Sequence, residues 1–158
     1  MQNTQTVNHG GTDGTDLVTV TVAGQLLGLP IDQVHDVFVP TDMTPVPLAP
    51  PEVAGLLNLR GRVVTAVSLR RRMGLSDARE GTRVMAVGIE RRGESYGLLV
   101  DEVGEVMRLD PRAMQPNPVH LERRWAALSR GVFQLDGRLL LALDVDAALA
   151  FDKDSETA

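Results

Sequence analysis

The chain has 158 residues and a mass of 17.1 kDa, a length that implies one domain able to bury about two-thirds of the surface its unfolded chain would expose. With 43% hydrophobic and 23% charged residues it has the composition of a soluble globular protein, and only five aromatics (Phe38, Tyr96, Trp125, Phe133, Phe151) leave the core to Val, Leu and Ala. The absence of cysteine excludes disulfides and thiolate metal sites, and a formal net charge of −5 opposes phosphate-backbone binding, so nucleic acid is not an expected partner.

The opening residues, Met1-Gln2-Asn3-Thr4-Gln5, lack the basic-then-apolar layout of a signal peptide. No apolar run approaches the roughly 18 residues of a membrane helix. A cytoplasmic protein without direct membrane insertion is expected. Residues 1–15, almost devoid of apolar side chains, predict a disordered tail, and residues 152–158 a short acidic one.

Nine prolines and fifteen glycines interrupt the chain too often for a helical bundle, and β-branched residues fill the intervals, so the expected class is all-β. Leu17 to Val22 alternates as a half-buried strand and turns at Ala23-Gly24 into Gln25 to Leu29. Val34 to Val39 is a third strand, and the run Thr44 to Pro51 is too proline-rich for a central one. Glu52 to Ala54 predicts one helical turn. Leu56 to Leu59 and Arg62 to Val67 bracket the tight turn Arg60-Gly61, and Leu69 to Met73 is a short helix with Ser68 as its N-cap. After a linker at Ser76 to Gly81 come Val84 to Ile89, Tyr96 to Val100, Val103 to Leu109, a loop around Pro116 and Pro118, Gly131 to Leu135 and Arg138 to Leu143.

The order of signals repeats. Shifted by 69, the run Gly28 to Val37 falls on Gly97 to Val106 with Gly, Leu, Asp, Val and Val identical; shifted by 76, Gly55 to Arg62 falls on Gly131 to Arg138. Two copies are too few for a solenoid and predict two small five-stranded barrels, about 16–75 and about 82–151, within one unit spanning 16–151. Barrels of this size have marginal cores, so neither half is expected to stand alone.

The repeat is also an internal control. Asp136-Gly137 is the dipeptide of a type I′ hairpin, whereas the first copy carries Arg60 at the Asp position. Arg is a poorer turn former; at a hairpin tip it either reaches for a carboxylate or carbonyls on a partner or keeps the turn soluble. Ser68 and Asp144 occupy equivalent cap positions. Val34 and Val37, like Val103 and Val106, stand three apart beside Asp36 and Glu105, placing apolar and acidic groups on neighbouring faces of a bent strand.

His9, His35, His120 and the carboxylates Asp101, Glu102 and Glu105 form no recognisable catalytic set, and no HExxH, GxSxG, P-loop or dinucleotide motif occurs. An enzyme is not expected, nor a metal or other cofactor. The basic runs Arg70-Arg71-Arg72, Arg91-Arg92 and Arg123-Arg124 are read as a solvated helix face and loop ends. An oligonucleotide-binding barrel would also need stacking aromatics, of which only Tyr96 lies in a predicted strand near them.

The run Thr44 to Val64, continuing to Leu75, with Tyr96 to Leu109 and Gly131 to Leu143, resembles the CheW family of chemotaxis coupling proteins from about Asp16 to Phe151. The resemblance implies two SH3-like five-stranded barrels with a groove between them, related by a pseudo-twofold repeat. It also implies a non-enzymatic adaptor joining the cytoplasmic tip of a chemoreceptor to the regulatory domain of a CheA-type histidine kinase, recruited to membrane arrays through these partners and joining other CheW copies in rings. A CheW-like adaptor of a non-flagellar kinase pathway, in surface motility or second-messenger control, is the alternative. Carried over by position, the receptor-binding residues are Val34, Asp36, Arg60 and Val106, and the sensitive interface glycines are Gly55, Gly61 and Gly97. Ser68 stands where many members have Asp, and residues 111–130 match poorly, so the kinase surface is not placed by residue.

Overall fold

The computed structural model describes residues 14–150. The predicted tails lie outside the described residues except at their inner margin, where Thr15, assigned above to the tail, opens the first strand and pairs with Leu109. In chain order the elements are β1 (Thr15–Val22), β2 (Gln25–Pro30), a 3-10 turn (Ile31–Gln33), β3 (Val34–Phe38), β4 (Val53–Leu59), β5 (Arg62–Ser68) and α1 (Leu69–Arg72). There follow β6 (Met85–Arg91), β7 (Glu94–Val100), β8 (Glu102–Leu109), a second 3-10 turn (Pro111–Ala113), α2 (Arg123–Leu128), β9 (Ser129–Leu135), β10 (Arg138–Leu143) and α3 (Val145–Ala148).

The strands fall into two five-stranded SH3-like sheets, one ordered β3-β6-β7-β5-β4 and the other β9-β10-β2-β1-β8. The repeat of the sequence is preserved, but it does not coincide with the sheets. Each sheet takes three strands from one repeat and a hairpin from the other: β6-β7 of the second repeat completes the first sheet, and β1-β2 of the first completes the second. The expectation of one contiguous barrel per repeat is corrected accordingly. Each hairpin is joined on both sides, by the parallel pairs β5 with β7 and β10 with β2 and by the antiparallel pairs β3 with β6 and β1 with β8.

This exchange explains the core. Successive residues along a strand point to opposite faces, and here each face has a different neighbour. Leu57, Val64, Ala66 and Ala86 fill the first sheet, and their repeat counterparts Phe133, Leu140, Ala142 and Leu17 fill the second. The alternate residues, among them Val87, Ile89, Leu98 and Val100 from one sheet and Val20, Leu27, Leu29 and Leu141 from the other, meet in a larger shared core. Burying each of these side chains contributes about 1.5–3 kcal/mol, so most of the folding drive lies where the two sheets meet.

Local details differ from the sequence reading in three places. Glu52 to Ala54 is not a helical turn, because Val53 already pairs with Val67 and starts β4. The segment after Pro118 contains α2, whose N-cap Glu122 accepts from the Arg124 N–H at 2.8 Å. At the hairpin tips, Ala23-Gly24 (φ 51, 82), Arg60-Gly61 (φ 53, 82) and Arg92-Gly93 (φ 53, 80) all place both residues in the left-handed region, whereas at Asp136-Gly137 only Gly137 (φ 77) does so. The type I′ geometry therefore belongs to the Arg60 tip, not to Asp136-Gly137. The predicted cap is present: Ser68 Oγ accepts from the Arg71 N–H at 3.1 Å, and Asp144 Oδ1 does the same for Ala147 at 3.1 Å.

Candidate functional site

The first sheet is open between its edge strands β3 and β4, and there two of the predicted residues meet. Strand β3 bends at a bulge, since Val34 pairs with Ile89 but Asp36 already pairs with Gly88. The bend turns the Asp36 side chain across β6, a position that Gly88 permits because a Cβ there would collide with the Asp36 carboxylate. On the other edge the Arg60-Gly61 turn is fixed by Asn58 Oδ1, which accepts from the Gly61 N–H at 2.9 Å. Arg60 Nη1 then donates to Asp36 Oδ2 at 2.9 Å and closes the seam. The carboxylate for which the hairpin arginine reaches is thus one of its own chain.

A second set of charges continues the rim. Arg62 Nη2 donates to Glu90 Oε2 at 3.1 Å, and His35 Nε2 lies 3.0 Å from Glu90 Oε1. Beneath them Phe38, Leu59, Val64 and Tyr96 floor a cleft of about 130 Å³. An apolar floor under a charged, exposed rim is the anatomy of a protein-docking patch. The Arg60 side chain remains 73% exposed and that of Asp36 29%, so the guanidinium keeps donors free for a second partner.

The other predicted residues are placed less uniformly. Val34 stands on β3 but is half-buried and packs against the shared core. Gly97 lies in β7 behind the same cleft, where a Cβ would come within 3.3 Å of Phe38 Cζ. Gly55 marks a bulge in β4 and lies against the Thr44 carbonyl oxygen, 2.8 Å from where a Cβ would be. Gly61 is required by its turn, at φ 82. Val106 is 51% exposed but belongs to β8 of the second sheet and does not line the cleft at Arg60. Sequence reasoning missed Glu90, Arg62 and Gly88 as members of the site. The sequence marks His35 only as a titratable candidate for catalysis, and the one signal for the others is the recurrence of Arg62 as Arg138 in the repeat.

The arginine run also reads differently in three dimensions. Arg70 and Arg71 are not merely a solvated face, since each is paired, with Asp101 and Asp77 respectively. Among the described residues no helix is long and apolar enough to cross a membrane.

The chain matches the family model described as CheW-like domain over residues 16–153. It is 29% identical over 144 residues to the chemotaxis protein CheW of Rhizobium meliloti, covering 91% of this chain and 93% of that protein. It is 30% identical over 131 residues to the protein of the same name from Thermotoga maritima, covering 83% and 85%. The crystal structure of the scaffolding protein TtCheW from Thermoanaerobacter tengcongensis superposes with a TM-score of 0.73 at 27% identity, covering 83% of this chain and 89% of that one.

Proposed function

The chain belongs to the CheW family of chemotaxis scaffold proteins, and from that premise we propose that it is a non-enzymatic cytoplasmic adaptor coupling a chemoreceptor tip to the regulatory domain of a CheA-type histidine kinase. The observation that carries the reading is the Asp36–Arg60 closure, a charged rim set by the β3 bulge and the Arg60-Gly61 turn over an apolar floor. It is built for recognition.

In this reading a receptor helical hairpin packs on the β3 face, with Val34 contributing at the edge of the apolar centre and Arg60 and Asp36 at the rim, while Val106 and the second sheet extend the contact. The kinase domain is held in register by a separate surface, and further copies of the chain complete the assembly in rings. Receptor state reaches the kinase through differential binding of two arrangements rather than through a chemical step. Recruitment to membrane arrays follows from these partners. Gly55, Gly61 and Gly97 act indirectly, by shaping the strands and the turn beneath the interface.

The test is a pull-down with a receptor cytoplasmic fragment. An exposed ion pair contributes less than about 1 kcal/mol to folding, so Arg60→Ala is expected to leave thermal unfolding nearly unchanged while receptor capture falls about tenfold or more. Undiminished capture by the folded variant would contradict the role given to Arg60.

A further inference from the structure

The cleft at Arg60 has a counterpart on the second sheet, and the two differ where it matters. The repeat maps Asp36 to Glu105, Phe38 to Met107, Leu59 to Leu135, Arg60 to Asp136, Arg62 to Arg138 and Glu90 to Thr21, and those six counterparts do line one groove on the second sheet. In the first sheet each rim charge is answered from within the chain, Asp36 by Arg60 and Glu90 by Arg62. In the second, the charge reversal at position 136 sets a carboxylate across the groove from Glu105, and with Thr21 in place of an acid Arg138 makes no ion pair among the described residues. Among the described residues neither Glu105 nor Asp136 makes an ion pair. The seam that Arg60 closes in the first sheet is therefore open in the second, as a groove of about 560 Å³ against about 130 Å³.

We propose that this groove docks a segment of a partner protein that presents an arginine beside an apolar side chain. The guanidinium enters between Glu105 and Asp136, as Arg60 sits against Asp36 in the first sheet, and the apolar neighbour covers Leu26, Met107 and Leu135. Charge complementarity selects this occupant: the groove carries two carboxylates and one guanidinium, and the arrangement that satisfies a carboxylate here is displayed in the same molecule by Arg60. An arginine fork matches two carboxylates better than a point charge does. The inference does not depend on the receptor surface assigned to Arg60.

The test titrates the full-length 15N-labelled chain with a capped peptide holding one arginine between two leucines, and with the same peptide carrying glutamate in place of arginine. The expected result is saturable amide shifts at Gly104, Glu105, Met107, Leu135 and Asp136, affinity falling with salt, and binding of the glutamate peptide weaker by about tenfold or more. Asp136→Arg, which rebuilds the internal pair of the first sheet, should abolish the shifts. If that variant does not fold, Glu105→Gln with Asp136→Asn gives the same readout by neutralisation. The proposal is overturned by absence of shifts, by equal binding of both peptides, or by shifts confined to the Asp36–Arg60 cleft. It is equally overturned if concentrating the chain alone moves the same amides, which would assign the groove to a second copy.

Discussion

Arg70 holds Asp101 with two arms of its guanidinium, Nε donating to Oδ1 at 2.9 Å and Nη2 to Oδ2 at 2.8 Å. The same Oδ2 accepts the Ala23 N–H at 2.8 Å. Arg70 lies in α1, just after the first sheet; Ala23 is the tip of β1-β2 in the second; Asp101 is the residue at which the chain crosses from β7 to β8. One carboxylate thus fixes the relative position of the two sheets, with side chains only 19% (Asp101) and 25% (Arg70) exposed.

This pair makes stability depend on pH in a defined direction. The hydrogen bonds from Arg70, helped by the Ala23 amide and by the guanidinium charge and opposed by burial, hold the Asp101 carboxyl below the usual carboxylate range. The unfolded chain therefore takes up its proton first, at about pH 4. The stabilisation is fully present above that value and is lost as pH falls through the lower folded value. Asp101→Asn is expected to cost about 2 kcal/mol at pH 7 and to flatten the acid limb of the stability curve, which denaturant titrations between pH 3 and pH 7 measure.

Two of the glycines separate close packing from turn geometry. A methyl at Gly55 meets the Thr44 carbonyl at 2.8 Å, in the two-bond bridge where Thr44 and Leu56 exchange N–H donors at 2.8 Å each. Backbone must move, and Gly55→Ala is expected to cost about 1–3 kcal/mol. Gly61 has open space around its Cβ position but a φ of 82, so Gly61→Ala should cost about 1–2 kcal/mol through conformation alone. Gly61→Asn should recover part of that, because Asn tolerates this region, while Gly55→Asn should not; thermal unfolding of the four variants checks the contrast.

The exchange of hairpins predicts that the halves are incomplete. A cut within the linker at residue 78 leaves the first fragment without β6 and β7 and the second without β1 and β2. Neither fragment should show cooperative unfolding by itself, since the shared core is divided between them. Mixed, they should recover the β-rich circular dichroism spectrum and a single unfolding transition. Two independently folded halves would contradict the topology.

Most strands were legible in the sequence because period-two alternation and glycine turns are local signals, and the duplication could be read from Gly28 to Val37 against Gly97 to Val106. What was not legible is which hairpin joins which sheet. The repeats carry equivalent patterns, so β1-β2 and β6-β7 satisfy the same local rules in either sheet, and the choice is made by long-range pairing on both sides of each hairpin, β3 and β5 for β6-β7, β8 and β10 for β1-β2. Asp36 and Arg60 were each singled out, yet nothing local joins residues 24 apart. Helix α2 escaped notice because Glu122 is an uncommon cap and only Leu128 of its residues is fully buried.

The most direct measurement is co-sedimentation of a CheA-type kinase regulatory fragment with membranes carrying receptor cytoplasmic fragments, with and without this chain. The account predicts that the kinase fragment pellets only when the chain is present. With Arg60→Ala it predicts a variant that still binds the kinase fragment in solution but no longer brings it to the receptor. A kinase fragment that pellets equally without the chain, or a chain that binds neither fragment, would contradict the proposal that this protein works by coupling the two.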